Sequence, residues 1–423
     1  MTSVNFITQG CPVNQAYTEQ MKGLLNEARF EILESLEDSD IVIFNTCSVK
    51  NSSESAFLKN LQEIKQNHPY KILIIAGCIV QTNQQLLEGY SLVGTRQIHK
   101  IVEVVEEALN DNVVKMIEFG EMPPLALPKI RENPIVEIIP LNWGCLSLCP
   151  SYKTKLISGD LKSYPVEEIL SAAKKAVDEG VKEIWLASQD TMCYGFDLGT
   201  SLASLLQELI KIPGKFKIKV GMGSPVHLKK VKDQLFPLLN HEKIFKFLHV
   251  PVQTGSDKVL KDMDRGNTKE EFLNLVEELK NTIPRITLAT DITVGFPSET
   301  EDDYWETLEV VKKTTPDVIN ISKFWARSGT SAAEMEQLPE DVTMHRSKVI
   351  TDILHNVSKI QNEKWVGWEG EVIIDDKGHE DKQWIGRNDY YKLFVLEGDF
   401  KLGDIINVKA VKADILSLRG KII

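Results

Sequence analysis

The chain has no run of 18 apolar residues among its 423, which excludes an ordinary membrane-spanning helix. Its start, Met1-Thr2-Ser3-Val4-Asn5, lacks the basic residues and apolar stretch of a secretory leader, so the expected location is the cytoplasm, with no membrane partner. A surplus of positive charge is missing too. Lys and Arg number 49 against 61 Asp and Glu, a formal net charge of −12. Nucleic acid gripped by its phosphates needs cations, so any such contact must come from a local basic patch. There is no low-complexity tract. What remains is ordinary for a globular protein: 42% hydrophobic and 26% charged residues, on a chain long enough for two or three domains with cores.

Cysteine is scarce, at six: Cys11, Cys47, Cys78, Cys145, Cys149 and Cys193. In a reducing compartment a disulfide framework is not expected; the alternatives are burial as small apolar side chains and metal ligation. Over the first 120 residues, apolar runs at 4–7, 40–44 and 71–75 are followed by helical patterns. That alternation predicts a parallel sheet whose strands are buried on both faces. Gly10-Cys11, Asn45-Thr46-Cys47 and Ala76-Gly77-Cys78 end these three strands. Carboxyl ends of parallel strands share one edge, so three thiols are expected to converge and to suit three irons of a four-iron cluster.

The segment Met122-Pro123-Pro124-Leu125-Ala126-Leu127-Pro128 defeats helix and sheet and reads as a linker. Beyond it, strand patterns at 135–140, 183–187, 217–220, 247–250, 286–292 and 318–324 alternate with helical ones, as in a partial (β/α) barrel. From about residue 366 short alternating strands and glycine turns suggest a small β-barrel. The expected fold is α/β in three parts: a parallel α/β domain over 1–121, the partial barrel over 130–360 and the small barrel over 366–423. The tail holds nine Lys and Arg against eleven Asp and Glu, so it is not basic in bulk. Its Trp368, Trp384, Tyr390, Tyr391, Phe394 and Phe400 either stack on bases or fill the barrel. Lys153, Lys155 and Lys162 make a better phosphate footprint.

At the end of the first strand of the second region stands Gly144-Cys145-Leu146-Ser147-Leu148-Cys149-Pro150-Ser151-Tyr152. Cys145 and Cys149 keep the first spacing of a Cys-x3-Cys-x2-Cys loop, which holds a four-iron cluster with one open iron; Tyr152 takes the third position. This loop, the three strand-end cysteine segments, Gly159-Asp160-Leu161-Lys162-Ser163-Tyr164-Pro165, His249-Val250-Pro251-Val252-Gln253-Thr254-Gly255-Ser256 and Asp291-Ile292-Thr293-Val294-Gly295-Phe296-Pro297-Ser298-Glu299-Thr300 closely resemble the radical S-adenosylmethionine tRNA methylthiotransferases, in their archaeal and eukaryotic branch. The resemblance covers essentially the whole chain.

It implies a radical S-adenosylmethionine barrel, a TRAM-like tail, and transfer of a methylthio group to carbon 2 of N6-threonylcarbamoyladenosine, at position 37 beside the anticodon. The implied partner is tRNA rather than DNA, with an external electron donor and sulfur source. By position it assigns Cys11, Cys47 and Cys78 to an auxiliary [4Fe-4S] cluster and Cys145 and Cys149 to a second, radical cluster. It assigns Gln189, Asp190, Asp291, Gly295 and Glu299 to S-adenosylmethionine. The chain departs from the family pattern at Tyr152, at Gln189 (a glutamate in the family) and at Phe196 (an arginine). Two outcomes are open. A substitute ligand, Cys193 or less favourably Tyr152, completes the radical cluster; or that cluster is lost, and an impaired relative with only the N-terminal cluster binds tRNA or a protein partner.

Overall fold

A computed structural model describes every residue except 48–50, 145, 147–156, 158 and 328–329, and except the side chains of 51–54. It divides into two compact units: Met1–Asn133 with Ile138–Leu146 and Tyr152–Ala172, and Pro134–Glu137 with Ser147–Ser151 and Ala173–Ile423.

The first unit is built on a six-stranded sheet. Its spatial order is Glu31–Leu33, Ser3–Gln9, Ile41–Thr46, Ile72–Gly77, Ser91–Val93, Lys115–Met116, and every neighbouring pair runs parallel. All six residues of Ile41–Thr46 are buried, as a central strand covered on both faces requires. Val42, Phe44, Ile75 and Leu92 form one core with Phe57 and Leu61 of the helix Asn51–Asn67, where Phe57 meets Phe44 edge-on at 5.4 Å. The strands at 31–33, 91–93 and 115–116 were not expected from the sequence. Two or three residues are too few to show a periodicity.

In the second unit, Glu183–Ala187 pairs in parallel with Lys217–Val220. Phe247–His249, Thr287–Val294 and Val318–Lys323 form a parallel three-stranded sheet. Helices Leu202–Leu209, Pro225–Leu238, Lys269–Thr282 and Glu301–Thr314 lie between them in sequence, giving the partial (β/α) barrel. Ser201, Ser224, Ser256, Thr268 and Thr300 each accept an N–H from the first turn of the following helix. These caps set where each helix starts and, at all but Thr268, whose helix follows another helix, the length of the loop at a strand's carboxyl end.

The tail closes into a five-stranded barrel, in order Glu369–Lys377, Gln383–Arg387, Leu393–Glu397, Leu418–Ile422, Ile405–Ala413; closure leaves no open sheet edge. Val372, Ile374, Phe394, Leu396, Val408 and Leu418 fill it, and Trp368, Trp384, Tyr390 and Phe400 pack against that core. Tyr391 packs on Phe245 and Phe247 at 4.9 and 5.1 Å. The tail's aromatics therefore serve packing. No helix among the described residues is long and apolar enough to cross a membrane.

Candidate functional site

In the first unit the sheet register alone gathers three thiols. Gln9 is paired with Thr46, and Thr46 with Gly77. Cys47 and Cys78 immediately follow that row, and Cys11 lies two residues beyond it, so all three reach one edge. Asn14, in the first turn of the helix Pro12–Glu27, is shared between two of them: Cys11 Sγ and Cys78 Sγ each lie 3.8 Å from its Oδ1. Asn45 holds this turn in place by donating from Nδ2 to the Asn14 carbonyl at 2.7 Å and to Thr18 Oγ1 at 2.9 Å. Gly10 has φ of +144°, and a Cβ there would come 2.7 Å from the Cβ of Cys47. Only glycine lets the first loop cross so closely. None of the four described cysteines is in a disulfide. Burial, and then the charge of neighbouring Cys47, push the Cys11 thiol up. A dry group of crowded thiols resists ionisation until a cation shares the charge.

A second group forms at strand ends in the second unit. Asp190 follows the strand Glu183–Ala187. Its Oδ1 accepts the N–H of Met192 at 3.1 Å and of Ser224 at 3.2 Å, and its Oδ2 lies 2.6 Å from His227 Nδ1. Cys193 Sγ donates to the Asp190 carbonyl oxygen at 3.1 Å. Phe196 stands edge-on to the His227 ring at 5.8 Å. Asp190, expected to contact S-adenosylmethionine, is a buried carboxylate held on both oxygens. Gln189 beside it is half-buried.

Asp291, Gly295 and Glu299 separate into two settings. Asp291 Oδ1 accepts from Asn320 Nδ2 at 2.7 Å and lies 2.7 Å from His249 Nε2, a polar row across three neighbouring parallel strands. Glu299 is buried elsewhere: its Oε2 accepts the Gly295 N–H at 2.8 Å and pairs with Arg346 Nη1 at 2.7 Å. Gly295 has φ of +80°, and a Cβ there would meet Thr343 at 2.5 Å. Gly295 and Glu299 thus anchor the helix Glu340–Glu363 to a strand end. A buried carboxylate needs a cation, and Arg346 supplies it. Burial raises the Glu299 carboxyl, against the lowering effect of the Gly295 amide and Arg346.

His227, His249 and Arg346 were not singled out from the sequence as site residues. His227 had a usable signal, since Ser224-Pro225 marks a helix start just after a strand end. Arg346 had none, being inside a 24-residue helix. Lys162 is exposed. Cys145, Cys149, Tyr152, Lys153 and Lys155 lie outside the described residues.

Residues 3–93 match the family described as Uncharacterized protein family UPF0004, residues 147–311 the Radical SAM superfamily and residues 363–423 the TRAM domain. Threonylcarbamoyladenosine tRNA methylthiotransferase of Homo sapiens is 35% identical over 427 residues, covering 98% of this chain and 73% of that protein. The probable threonylcarbamoyladenosine tRNA methylthiotransferase of Pyrococcus horikoshii is 35% identical over 428 residues, covering all of both. The chain belongs to the threonylcarbamoyladenosine tRNA methylthiotransferase family. Among solved structures, the radical S-adenosylmethionine methyltransferase TsrM from Kitasatospora setae shares the fold, with a TM-score of 0.55 at 11% identity over 76% of this chain and 73% of that one.

Membership in this family, through the Radical SAM superfamily, implies [4Fe-4S] chemistry and S-adenosylmethionine. In the first unit the residues present fit an iron–sulfur cluster. Three thiols meet from three strand ends, unlinked by disulfides, and soft thiolate is the donor such irons prefer.

Proposed function

We propose that this chain performs the family's reaction, replacing hydrogen on carbon 2 of N6-threonylcarbamoyladenosine at tRNA position 37 with a methylthio group. The observation that carries this reading is the register that brings Cys11, Cys47 and Cys78 to one edge, in a chain similar to these enzymes along its whole length. Cys11, Cys47 and Cys78 would hold the auxiliary cluster. Cys145 and Cys149 would hold two irons of the other, with Tyr152 at the third ligand position. A bound [4Fe-4S] cluster with S-adenosylmethionine supplies the radical chemistry that breaks an adenine C–H bond. Asn14 orients the thiols. Gln189 and the His249–Asp291–Asn320 row offer polar groups to S-adenosylmethionine, and Lys153, Lys155 and Lys162 offer charge to tRNA phosphates.

The test is nucleoside mass spectrometry of tRNA incubated anaerobically with reconstituted protein, S-adenosylmethionine, reductant and a sulfide source. The 2-methylthio nucleoside should appear with the unaltered chain and be absent with Cys11→Ala. Tyr152 favours a second reading, an impaired relative that keeps only the N-terminal cluster and binds tRNA or a protein partner. Iron content separates the two: about eight irons per chain means two clusters and about four means one. Four irons with no methylthio product would establish the second reading.

A further inference from the structure

We propose that Asp190, Cys193 and His227 form a mononuclear site for a borderline divalent cation of the zinc type, separate from the iron–sulfur clusters. The inference stands whether or not the methylthiotransferase reading holds.

The donors are of three chemical kinds: a carboxylate oxygen, a thiol sulfur and an imidazole nitrogen, all within 4.8 Å of one another. Among the described residues this is the single such group of three His, Cys, Asp or Glu donors. All three side chains are buried, Cys193 completely. Zinc bonds of about 2.0–2.3 Å in a tetrahedron put donor atoms roughly 3.3–3.6 Å apart; Asp190 Oδ2 and His227 Nδ1, now 2.6 Å apart, would separate by under about 1 Å to admit the ion, within a donor set that already lies inside 4.8 Å. Thiolate with imidazole selects zinc-like ions, whereas one carboxylate is too little oxygen for magnesium or calcium.

The group is pre-positioned in the way metal ligands are. Asp190 Oδ1 is fixed by the amides of Met192 and Ser224, which leaves Oδ2 aimed at His227. The Ser224 side chain caps the helix that begins at Pro225 by accepting the His227 N–H. That cap sets the imidazole in the first turn. Outer contacts of this kind orient ligands and sharpen affinity. Gly223 leaves space beside Asp190, for a Cβ there would lie 3.0 Å from Oδ1 and would run into Met192. The Phe196 ring closes one side. Three protein ligands leave a fourth position for water or another small donor, as in zinc sites with an open position.

The 2.6 Å contact between Asp190 Oδ2 and His227 Nδ1 requires a proton, because both atoms are acceptors when unprotonated. A cation would take its place. The Cys193 thiol would lose its proton to solvent, and the imidazole would keep one only on Nε2. This arrangement also bears on Cys193 as a substitute ligand for the radical cluster, since a thiolate committed to this cation is withdrawn from that role.

The probe is Zn²⁺ itself, given to the full-length chain after anaerobic cluster reconstitution, with excess removed by gel filtration. Metal analysis should find about one zinc per chain. It should fall below about one tenth in Cys193→Ala and His227→Gln and stay at one in Cys78→Ala. X-ray absorption at the zinc edge of the unaltered protein should show a single sulfur at about 2.3 Å with nitrogen and oxygen neighbours. That spectrum decides the matter even if a variant fails to fold. A shell of two or more sulfurs would put the zinc at the other cysteines and overturn the proposal. So would unaltered protein without zinc, or Cys193→Ala that retains it.

Discussion

Asn14 touches two of the three strand-end thiols, yet the cysteines themselves carry the clearest residue-scale consequence. Replacing Cys11, Cys47 or Cys78 by alanine should remove about four irons per chain after anaerobic reconstitution, with secondary structure unchanged by circular dichroism. Retention of full iron in any of the three would show that the edge thiols are not ligands. Arg346 and Glu299 form the other decisive pair. Both side chains are buried, at 5% and 1% exposure, so removing the cation strands a carboxylate. Arg346→Met should cost about 3–5 kcal/mol in chemical denaturation of the second unit. The double variant with Glu299→Leu should recover much of it, because an apolar pair has no charge to compensate. Little of this pair was legible beforehand: Glu299 stood out only in a motif, and its partner is 47 positions away.

At the scale of elements, caps and strand-end turns position the second unit's loops. The helix Glu301–Thr314 starts in a reciprocal box: Thr300 accepts the Asp303 N–H, and Asp303 accepts from the Thr300 backbone. Asp303 also accepts from Ser256 Oγ at 2.6 Å and pairs with Lys258 at 3.0 Å, tying this helix start to the one capped by Ser256. Burial pushes the Asp303 carboxyl up, but the hydrogen bonds from Ser256, Thr300 and Lys258 outweigh it, and the group ends well below the ordinary carboxylate range. A carboxyl lowered in the fold stabilises above its unfolded pKa of about 4, and that stability is lost as pH falls further. The melting temperature of Asp303→Asn should therefore lie several degrees below the parent at pH 7, and the gap should shrink steadily below about pH 4. A gap independent of pH would mean that packing, not charge, accounts for the loss. These helix starts were readable as Ser or Thr before a helical pattern, since a cap is a local device.

On the scale of the whole molecule, the second unit joins its two barrels through a buried charged cluster. Lys219 Nζ lies 4.3 Å from the Trp185 ring centre and 4.5 Å from that of Tyr391. Asp375 pairs with Arg387 at 3.2 Å, and Glu183 accepts from Trp185 Nε1 at 2.7 Å. Burial pushes Asp375 up to about 7, against the pull of Arg387, and burial followed by the charge of Arg387 brings Lys219 down to about 8. For Asp375 the sign is the reverse of that for Asp303. The fold holds a proton that the unfolded chain releases near pH 4, so stability contributed here declines as pH rises toward 7. Asp375→Asn should flatten the parent's fall in melting temperature between about pH 4 and 7, measured by scanning calorimetry; an unchanged slope would exclude Asp375 as its source. What the sequence determined by itself was local or periodic: strand–helix alternation, three cysteines each ending a strand, helix starts, and motifs long enough to reveal the family. The tertiary structure alone decided that Asp190 meets His227 across 37 positions, that Glu299 turns to Arg346, and that the tail's aromatics serve packing. Such pairings depend on which buried surfaces meet and which charges must then be matched, and no local pattern along the chain encodes that.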